Sequence, residues 1–497
     1  MKRPSVHPLH TIRRAFAAWA GAALFCSGCA SLAQPAAPPS AAAAMLPREG
    51  AAARNAHQPC DSLSTCIKHV VVVVQENRTV DNLFQGFPGA DTQSFGIDSN
   101  GRAVALAPLP NGFESRDIKH LRSDALAAIG PDLGAGAPWP MNGFDRERLP
   151  GHRPAGSFPY AYVPESFAQP YWTMARRYAL ADHLFPTELG PSFTAHVDLV
   201  ASSEEIDDGV SLIDFPMYQG RPLNALWGCD DPQGTTTLTV SGFVEASPSP
   251  NGPFPCLNQG TPQLQPLTET LDAAGLSWRY YAPVVQSYAD RATGAQWSVL
   301  DAFANVRYGS DWSNVVSPPY RVLDDARAGK LAALSWIVPD EHDSDHAGGT
   351  KNSGPAWVAQ IVNAVGEGGD WDSTAIVVVW DDWGGWYDHV APPKLDYRGL
   401  GIRVPCIVIS PYVDQGVVSH ATFEFGSIAK LIEETFGLPP LGTTGGPFDT
   451  GYGYGYTDTR ATSLGILFDF ARPPRTFVPI PAPAWTPSVS GVAPDDD

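Results

Sequence analysis

The sequence predicts an α/β fold with a mostly parallel central sheet, helices on both faces and a small cap or insertion. Three observations carry this prediction. Runs of apolar, often β-branched residues without alternation, such as Ile67 to Val74, have the pattern of strands buried on both faces of a parallel sheet. Helical patterns alternate with these runs, which is the order of α/β folds. Polar or acidic residues stand at the carboxyl ends of several runs, where open α/β sheets place their sites.

In chain order, the strand Ile67 to Val74 is followed at once by Gln75, Glu76 and Asn77. Leu331 to Val338 precedes Pro339 and Asp340, Ala375 to Trp380 ends in Asp381 and Asp382, and Val404 to Ser410 precedes Pro411. Helices are expected over Ser166–Tyr178, Leu264–Ala274, Ala356–Val365 and Ser427–Phe436. The stretch from about 203 to 261, rich in Gly, Pro, Ser and Thr, reads as an insertion or cap over the sheet. From about Gly437 the chain becomes Gly/Tyr/Pro-rich and is expected to wrap the surface. There is no internal repeat.

The 497 residues, 43% hydrophobic and 17% charged, fit a globular protein rather than a disordered one. A formal net charge of -20 repels nucleic acid and anionic membrane surfaces, so generic binding to either is not expected. Such a chain can handle phosphate esters if a metal or local basic groups reverse the sign inside the pocket.

The first residues read as an export signal. Arg13 and Arg14 precede the apolar run Ala17 to Phe25, too short to remain as a membrane-spanning helix, so the mature chain is expected to have none. Thr11 to Phe16 resembles a twin-arginine signal. Ser27, Gly28, Cys29 and Ala30 resemble a lipoprotein site with Cys29 as the lipidated residue, although Cys26 stands where an aliphatic residue is usual. Cleavage near Ala33 to Ala37 is the alternative. The expected organisation is a signal peptide over 1–37, an Ala/Pro-rich tether over 38–54 and one catalytic domain over 55–490, in the periplasm or secreted, with or without a lipid anchor. The remaining cysteines suit an oxidising destination: Cys60 is expected to pair with Cys66 and Cys229 with Cys256, with Cys406 buried in a strand as a free thiol.

Adjacent residues in mid-strand point to opposite faces, but at a strand end both can converge. Glu76 with Asn77, and Asp381 with Asp382, would thus offer oxygen ligands to one hard cation. Either pair alone reads as a solvated turn or a helix cap; together, directly after apolar strands, they favour a metal site. Ser192, in Gly190–Pro191–Ser192–Phe193, would sit at the first turn of a helix over Phe193 to Val200, where main-chain N–H groups can hold a phosphoryl oxygen. Spacing alone makes it a helix cap; a metal would make it a nucleophile. Asp340, Glu341, His342, Asp343, Ser344, Asp345 and His346 form a dense titratable cluster without EF-hand spacing. In it His346 could protonate a leaving oxygen, with His120 and His389 as weaker candidates.

The segments HVVVVVQENRTVDNLF (His69–Phe84), YWTMARRYALADHLFPTELGPSFTAH (Tyr171–His196), VPDEHDSDH (Val338–His346), VVVWDDWGGWYDHV (Val377–Val390) and VPCIVISPYV (Val404–Val413) resemble, in order, those of the bacterial phosphoesterase family of phospholipases C and periplasmic acid phosphatases. The resemblance covers about Cys66 to Leu441. It implies an alkaline-phosphatase-like fold, with Glu76, Asn77, Asp381 and Asp382 as ligands of one divalent metal ion and Ser192 as nucleophile. It also implies that His120 and His346 contact phosphate or donate protons. The phospholipase branch has Thr where this chain has Ser192, and its members often carry further carboxyl-terminal domains for which this chain leaves no room. These departures favour acid phosphatase over phospholipase C. Relatives also show Asn before His where this chain has Ala195 before His196, so substrate contacts there are expected to differ.

The expected activity is hydrolysis of a phosphate ester through a phosphoserine, with His346 or His120 moving protons. A sulfatase would need a modified Cys or Ser in a C/S-x-P-S/A-R setting, which Ser192 lacks. A non-catalytic binding protein on the same fold would have lost a ligand or the nucleophile, and none is missing.

Overall fold

The apolar runs assemble into one nine-stranded sheet in the computed structural model, which describes residues 60–487 except 135, 220, 223–227, 242–243, 246–253, 261, 288–289, 349–350 and 442–454. The expected export signal with Arg13 and Arg14, Cys29 and the expected tether lie outside the described residues. The strands are β1 (His69–Gln75), β2 (Ala179–Phe185), β3 (Trp278–Tyr281), β4 (Val315–Val316), β5 (Leu334–Ile337), β6 (Thr374–Trp380), β7 (Val404–Ile409), β8 (Val417–Ser419) and β9 (Phe423–Glu424). Their order is β4-β3-β5-β1-β6-β7-β2-β8, with β9 also paired to β2.

β1 runs parallel to β5 and β6, with Val70 opposite both Leu334 and Ala375. Among the named strands of this sheet only β7 is reversed, antiparallel to both β6 and β2. The valines Val70 to Val74 are 0–2% exposed at its centre. Each contributes about 1.5–3 kcal/mol for full burial, which explains why this run does not alternate.

The main helices are α1 (Arg122–Ile129), α2 (Glu165–Arg177), α3 (Ser192–Ala201), α4 (Leu267–Ala273), α5 (Gly354–Glu367) and α6 (Phe425–Phe436). Register shows that they cover both faces. Trp336 on β5 pairs with Val72, and Trp380 on β6 with Gln75; Val72 and Gln75 point to opposite faces of β1. The Trp336 indole donates to Leu199 O on α3 at 3.3 Å, whereas the Trp380 ring meets Tyr171 on α2 at 4.9 Å. α2 packs on α5, and α3 on α6.

The stretch expected to be an insertion contains a separate four-stranded antiparallel sheet, Glu205–Asp207, Val210–Leu212, Thr239–Ser241 and Val244–Glu245. The expected disulfides Cys60–Cys66 and Cys229–Cys256 are formed, and Cys406 is a buried free thiol on β7. The described tail lies against α5: Asn363 donates to Ile480 O at 3.0 Å, and the Trp485 ring stands 4.9 Å from Trp357. Among the described residues no helix is long and apolar enough to cross a membrane.

Candidate active site

Both acidic pairs lie where central strands end. Glu76 and Asn77 follow β1, and Asp381 and Asp382 follow β6. The ladder between these strands continues to Asp381, whose N–H donates to Gln75 O at 2.9 Å. There β1 turns: Asn77 has φ 63°, a left-handed conformation that asparagine tolerates better than most residues. Gly384, at φ +59°, lies against the turn, where a Cβ would stand 2.5 Å from Asn77 Cβ and 2.6 Å from Asn77 O.

Asp381 Oδ1 accepts from the N–H groups of Asn77 (2.9 Å) and Asp382 (2.7 Å). Asp382 Oδ1 accepts from Gly384 N (2.7 Å), and its Oδ2 accepts from the Ser192 hydroxyl (2.9 Å). Ser192 is the first residue of α3, with Pro191 in the N-cap position. A capping serine would turn its oxygen to N–H groups of the first turn. Ser192 instead points its hydroxyl at a carboxylate, and Asn77 Oδ1 lies 3.4 Å from the same oxygen. The helix-cap alternative therefore does not describe this residue.

The Asn77 amide shows what the pocket is built to hold. His120 Nδ1 lies 2.7 Å from Ile118 O and His346 Nδ1 lies 2.6 Å from Ala347 O, so each of these nitrogens carries a proton and donates it. In the neutral rings both Nε2 atoms are then acceptors. They face the Asn77 NH2 group at 3.2 and 3.0 Å. The amide oxygen is thereby left facing Glu76 Oε2 at 3.2 Å and Asp381 Oδ1 at 3.0 Å. Carboxylate and amide oxygens facing one another at these distances suit a hard cation.

Charge balance points the same way. Glu76, Asn77, Ser192, Asp381 and Asp382 are all at most 1% exposed. Burial, with Asp381 beside it, lifts the Glu76 carboxyl well above its ordinary range, and the same two causes push Asp382 up to about 8. Holding these two carboxyls in ionised form costs several kcal/mol each unless positive charge compensates. His196, one turn after Ser192 on α3, stands 2.9 Å from Glu76 Oε1 and 3.7 Å from Asp381 Oδ2. Burial lowers its pKa to about 4, so it brings a neutral nitrogen rather than a charge. Glu76, His196 and Asp381 offer ligand atoms within 4.8 Å of one another. The donor set therefore fits a divalent cation.

The structure brings Glu76, Asn77, Asp381, Asp382, Ser192, His120 and His346 together. His196 joins them as a residue that sequence reading had assigned only to substrate contact; its i+4 spacing from Ser192 on one helical face was the available signal. Around the two proton-carrying rings, Trp297 lies 6.1 Å from His346 and Phe215 lies 6.2 Å from His120, centroid to centroid.

Other members of the acidic cluster serve the scaffold. Asp345 Oδ2 accepts from the Trp380 indole at 2.9 Å, its main-chain oxygen accepts from Arg78, and Asp343 Oδ1 accepts from the Trp485 indole at 2.9 Å. His389 bonds Asp81 and Asp91 in a different cluster.

The chain resembles proteins that carry the name phospholipase C. It is 26% identical to phospholipase C A of Mycobacterium tuberculosis, covering 85% of this chain and 81% of that protein. It is 28% identical to the non-hemolytic phospholipase C of Pseudomonas aeruginosa over 80% of this chain, and spans 58% of that longer protein. Non-specific phospholipase C6 of Arabidopsis thaliana is 28% identical over 33% of this chain and 35% of its own length. The profile of the Phosphoesterase family matches residues 67–439, and the chain belongs to that family of phosphoric ester hydrolases.

Proposed function

We propose that this protein is an exported, metal-dependent phosphodiesterase of the phospholipase C type, with Ser192 as nucleophile. The observation that carries this reading is the Ser192 hydroxyl donating to Asp382 Oδ2 at 2.9 Å beside the converging oxygens of Glu76, Asn77 and Asp381. Glu76, Asn77, Asp381 and Asp382 would hold one divalent ion, with His196 fixing Glu76. The ion would supply positive charge to the developing phosphoryl oxygens and to the serine oxygen.

Ser192 Oγ attacks phosphorus and passes its proton to Asp382 Oδ2. The bond from phosphorus to the leaving oxygen breaks, and that oxygen takes a proton from the Nε2 of a protonated His346 or His120. Water then attacks the phosphoserine, gives a proton back to the same imidazole, and the serine recovers its own from Asp382. The Nδ1 bonds of both rings to main-chain oxygens keep Nε2 directed at the reacting group.

Sequence reading placed acid phosphatase first, on the strength of serine at position 192. That order is reversed here. A serine and a threonine offer the same attacking oxygen, whereas the relatives named phospholipase C align over up to 85% of this chain. Strand-end ligands on a sheet with one reversed strand also suit the alkaline-phosphatase-like class, to which we assign the fold. The organisation into signal peptide (1–37), tether (38–54) and catalytic domain (55–490) belongs to the same reading, supported by Arg13, Arg14 and the two disulfides.

The test compares p-nitrophenyl phosphorylcholine with p-nitrophenyl phosphate, with and without chelator. Faster turnover of the diester, abolished by chelator, is expected. Preference for the monoester would return the assignment to acid phosphatase, and activity that survives complete metal removal would defeat the mechanism.

A further inference from the structure

Polar residues of the sequence motifs that the Ser192 site does not use meet in a second cluster. Asp81 comes from the short helix Val80–Phe84, Asp182 and His183 from β2, Asp388 and His389 from the segment after β6, and Arg403 from the residue before β7. Asp91 and His420 join them. The cluster has two halves.

In the first half, Asp81, Asp388 and His389 already have a cation. Arg403 Nε donates to Asp388 Oδ1 at 2.7 Å, its Nη2 stands 3.9 Å from Asp81 Oδ1, and His389 Nδ1 lies 2.7 Å from Asp81 Oδ2. The remaining guanidinium bonds go to the main-chain oxygens of Asp182 (2.9 Å) and Asp91 (2.6 Å).

The second half is built differently. Asp182, His183 and His420 offer ligand atoms within 4.8 Å of one another. Asp182 is fully buried, its Oδ2 fixed by the Asp91 N–H at 2.7 Å, which leaves Oδ1 turned to His420 Nδ1 at 2.9 Å. His183 Nε2 meets Asp91 Oδ2 at 3.1 Å, and the two imidazole rings lie 5.7 Å apart. His183 and His420 are 20% and 53% exposed at the side chain, so the buried carboxylate lies under two imidazoles that reach solvent. Two imidazoles and a carboxylate with its second oxygen already engaged form a donor set for a borderline cation rather than for magnesium or calcium.

We propose that Asp182, His183 and His420, with Asp91 completing the set, bind a second divalent transition metal of the zinc class, separate from the Ser192 site. His420 swings inward to close the shell, since bonds of about 2.0–2.2 Å require the ligands to contract. The ion clips β2 to the segment between β8 and β9 and to the loop that carries Asp91. β2 leads directly into the turn before Ser192, so the clip supports the nucleophile's scaffold without touching substrate. Nothing in this proposal depends on the chemistry assigned to Ser192.

The test uses the full chain, stripped with chelator and dialysed against zinc chloride. Metal analysis should find one zinc more per chain in the wild type than in the His183→Gln/His420→Ala double variant. Cobalt substitution should give the wild type a tetrahedral absorption band that the variant lacks. Hydrolysis of a soluble p-nitrophenyl ester by the variant checks its fold. If the double variant does not fold, His420→Ala alone, at an exposed position, should weaken zinc binding on the order of tenfold or more by calorimetry. Equal zinc content and affinity in the wild type and the folded variant would overturn the site.

Discussion

Replacing Asp381 by Asn separates charge from hydrogen bonding at the centre of the site. The oxygen that accepts from Asn77 N (2.9 Å) and Asp382 N (2.7 Å) is retained, so the turn after β1 keeps its support. What is lost is one negative charge among the converging oxygens. Two unit charges 4 Å apart interact by about 4 kcal/mol at an effective dielectric of 20, on the order of a thousandfold in metal binding. Asp381→Ala should do the same and also leave two buried N–H groups unpaired, at about 1–3 kcal/mol each. Ser192→Ala removes no negative charge, so it should keep its metal while losing turnover by on the order of a thousandfold, about 4 kcal/mol in the barrier. Metal content after dialysis, urea denaturation and turnover of p-nitrophenyl phosphorylcholine read the three variants. Stoichiometric metal and full turnover in Asp381→Asn, or near-normal turnover in Ser192→Ala, would refute the reasoning.

Three further outcomes follow from particular residues. Gly384→Ala puts a Cβ 2.5 Å from Asn77 Cβ at a positive φ, so it should destabilise the protein by about 2 kcal/mol or more and reduce bound metal, read by denaturation and metal analysis. Asp396 is pushed up by burial, but Arg398 and Arg460 overcome this and hold it at about 2, against 3.8 ordinarily. A depressed carboxyl stabilises above its unfolded pKa and loses that contribution as pH falls through the folded one. Asp396→Asn should therefore cost about 2 kcal/mol at pH 7, a gap that closes between about pH 4 and pH 2 in urea titrations. Changing Arg13 and Arg14 to Lys should leave unprocessed enzyme in the cytoplasm, and unimpaired export would exclude the twin-arginine route.

How much was legible in the sequence depended on whether a signal was local. The valine run of β1 and the apolar run of β6 could be read because strands buried on both faces need no polar alternation. β2 was missed because Asp182 and His183 interrupt its apolar run, and they are tolerated there only because Asp91 and His420 supply partners from distant segments. The reversal of β7 left no mark, since a buried antiparallel strand has the same composition as a parallel one. Site residues divided along the same line. Glu76, Asn77, Asp381 and Asp382 could be singled out because a strand end is a local feature with a known direction. The Asp340–His346 cluster yielded one residue near the site because density of charge says nothing about orientation: Asp343 and Asp345 turn to indoles, and His346 alone turns to Asn77. Ser192 was ambiguous for a related reason. Gly190, Pro191 and Ser192 fit a helix cap as well as a nucleophile, and the difference lies in Asp382, nearly two hundred residues later, whose carboxylate takes the hydroxyl that a cap would have spent on its own helix.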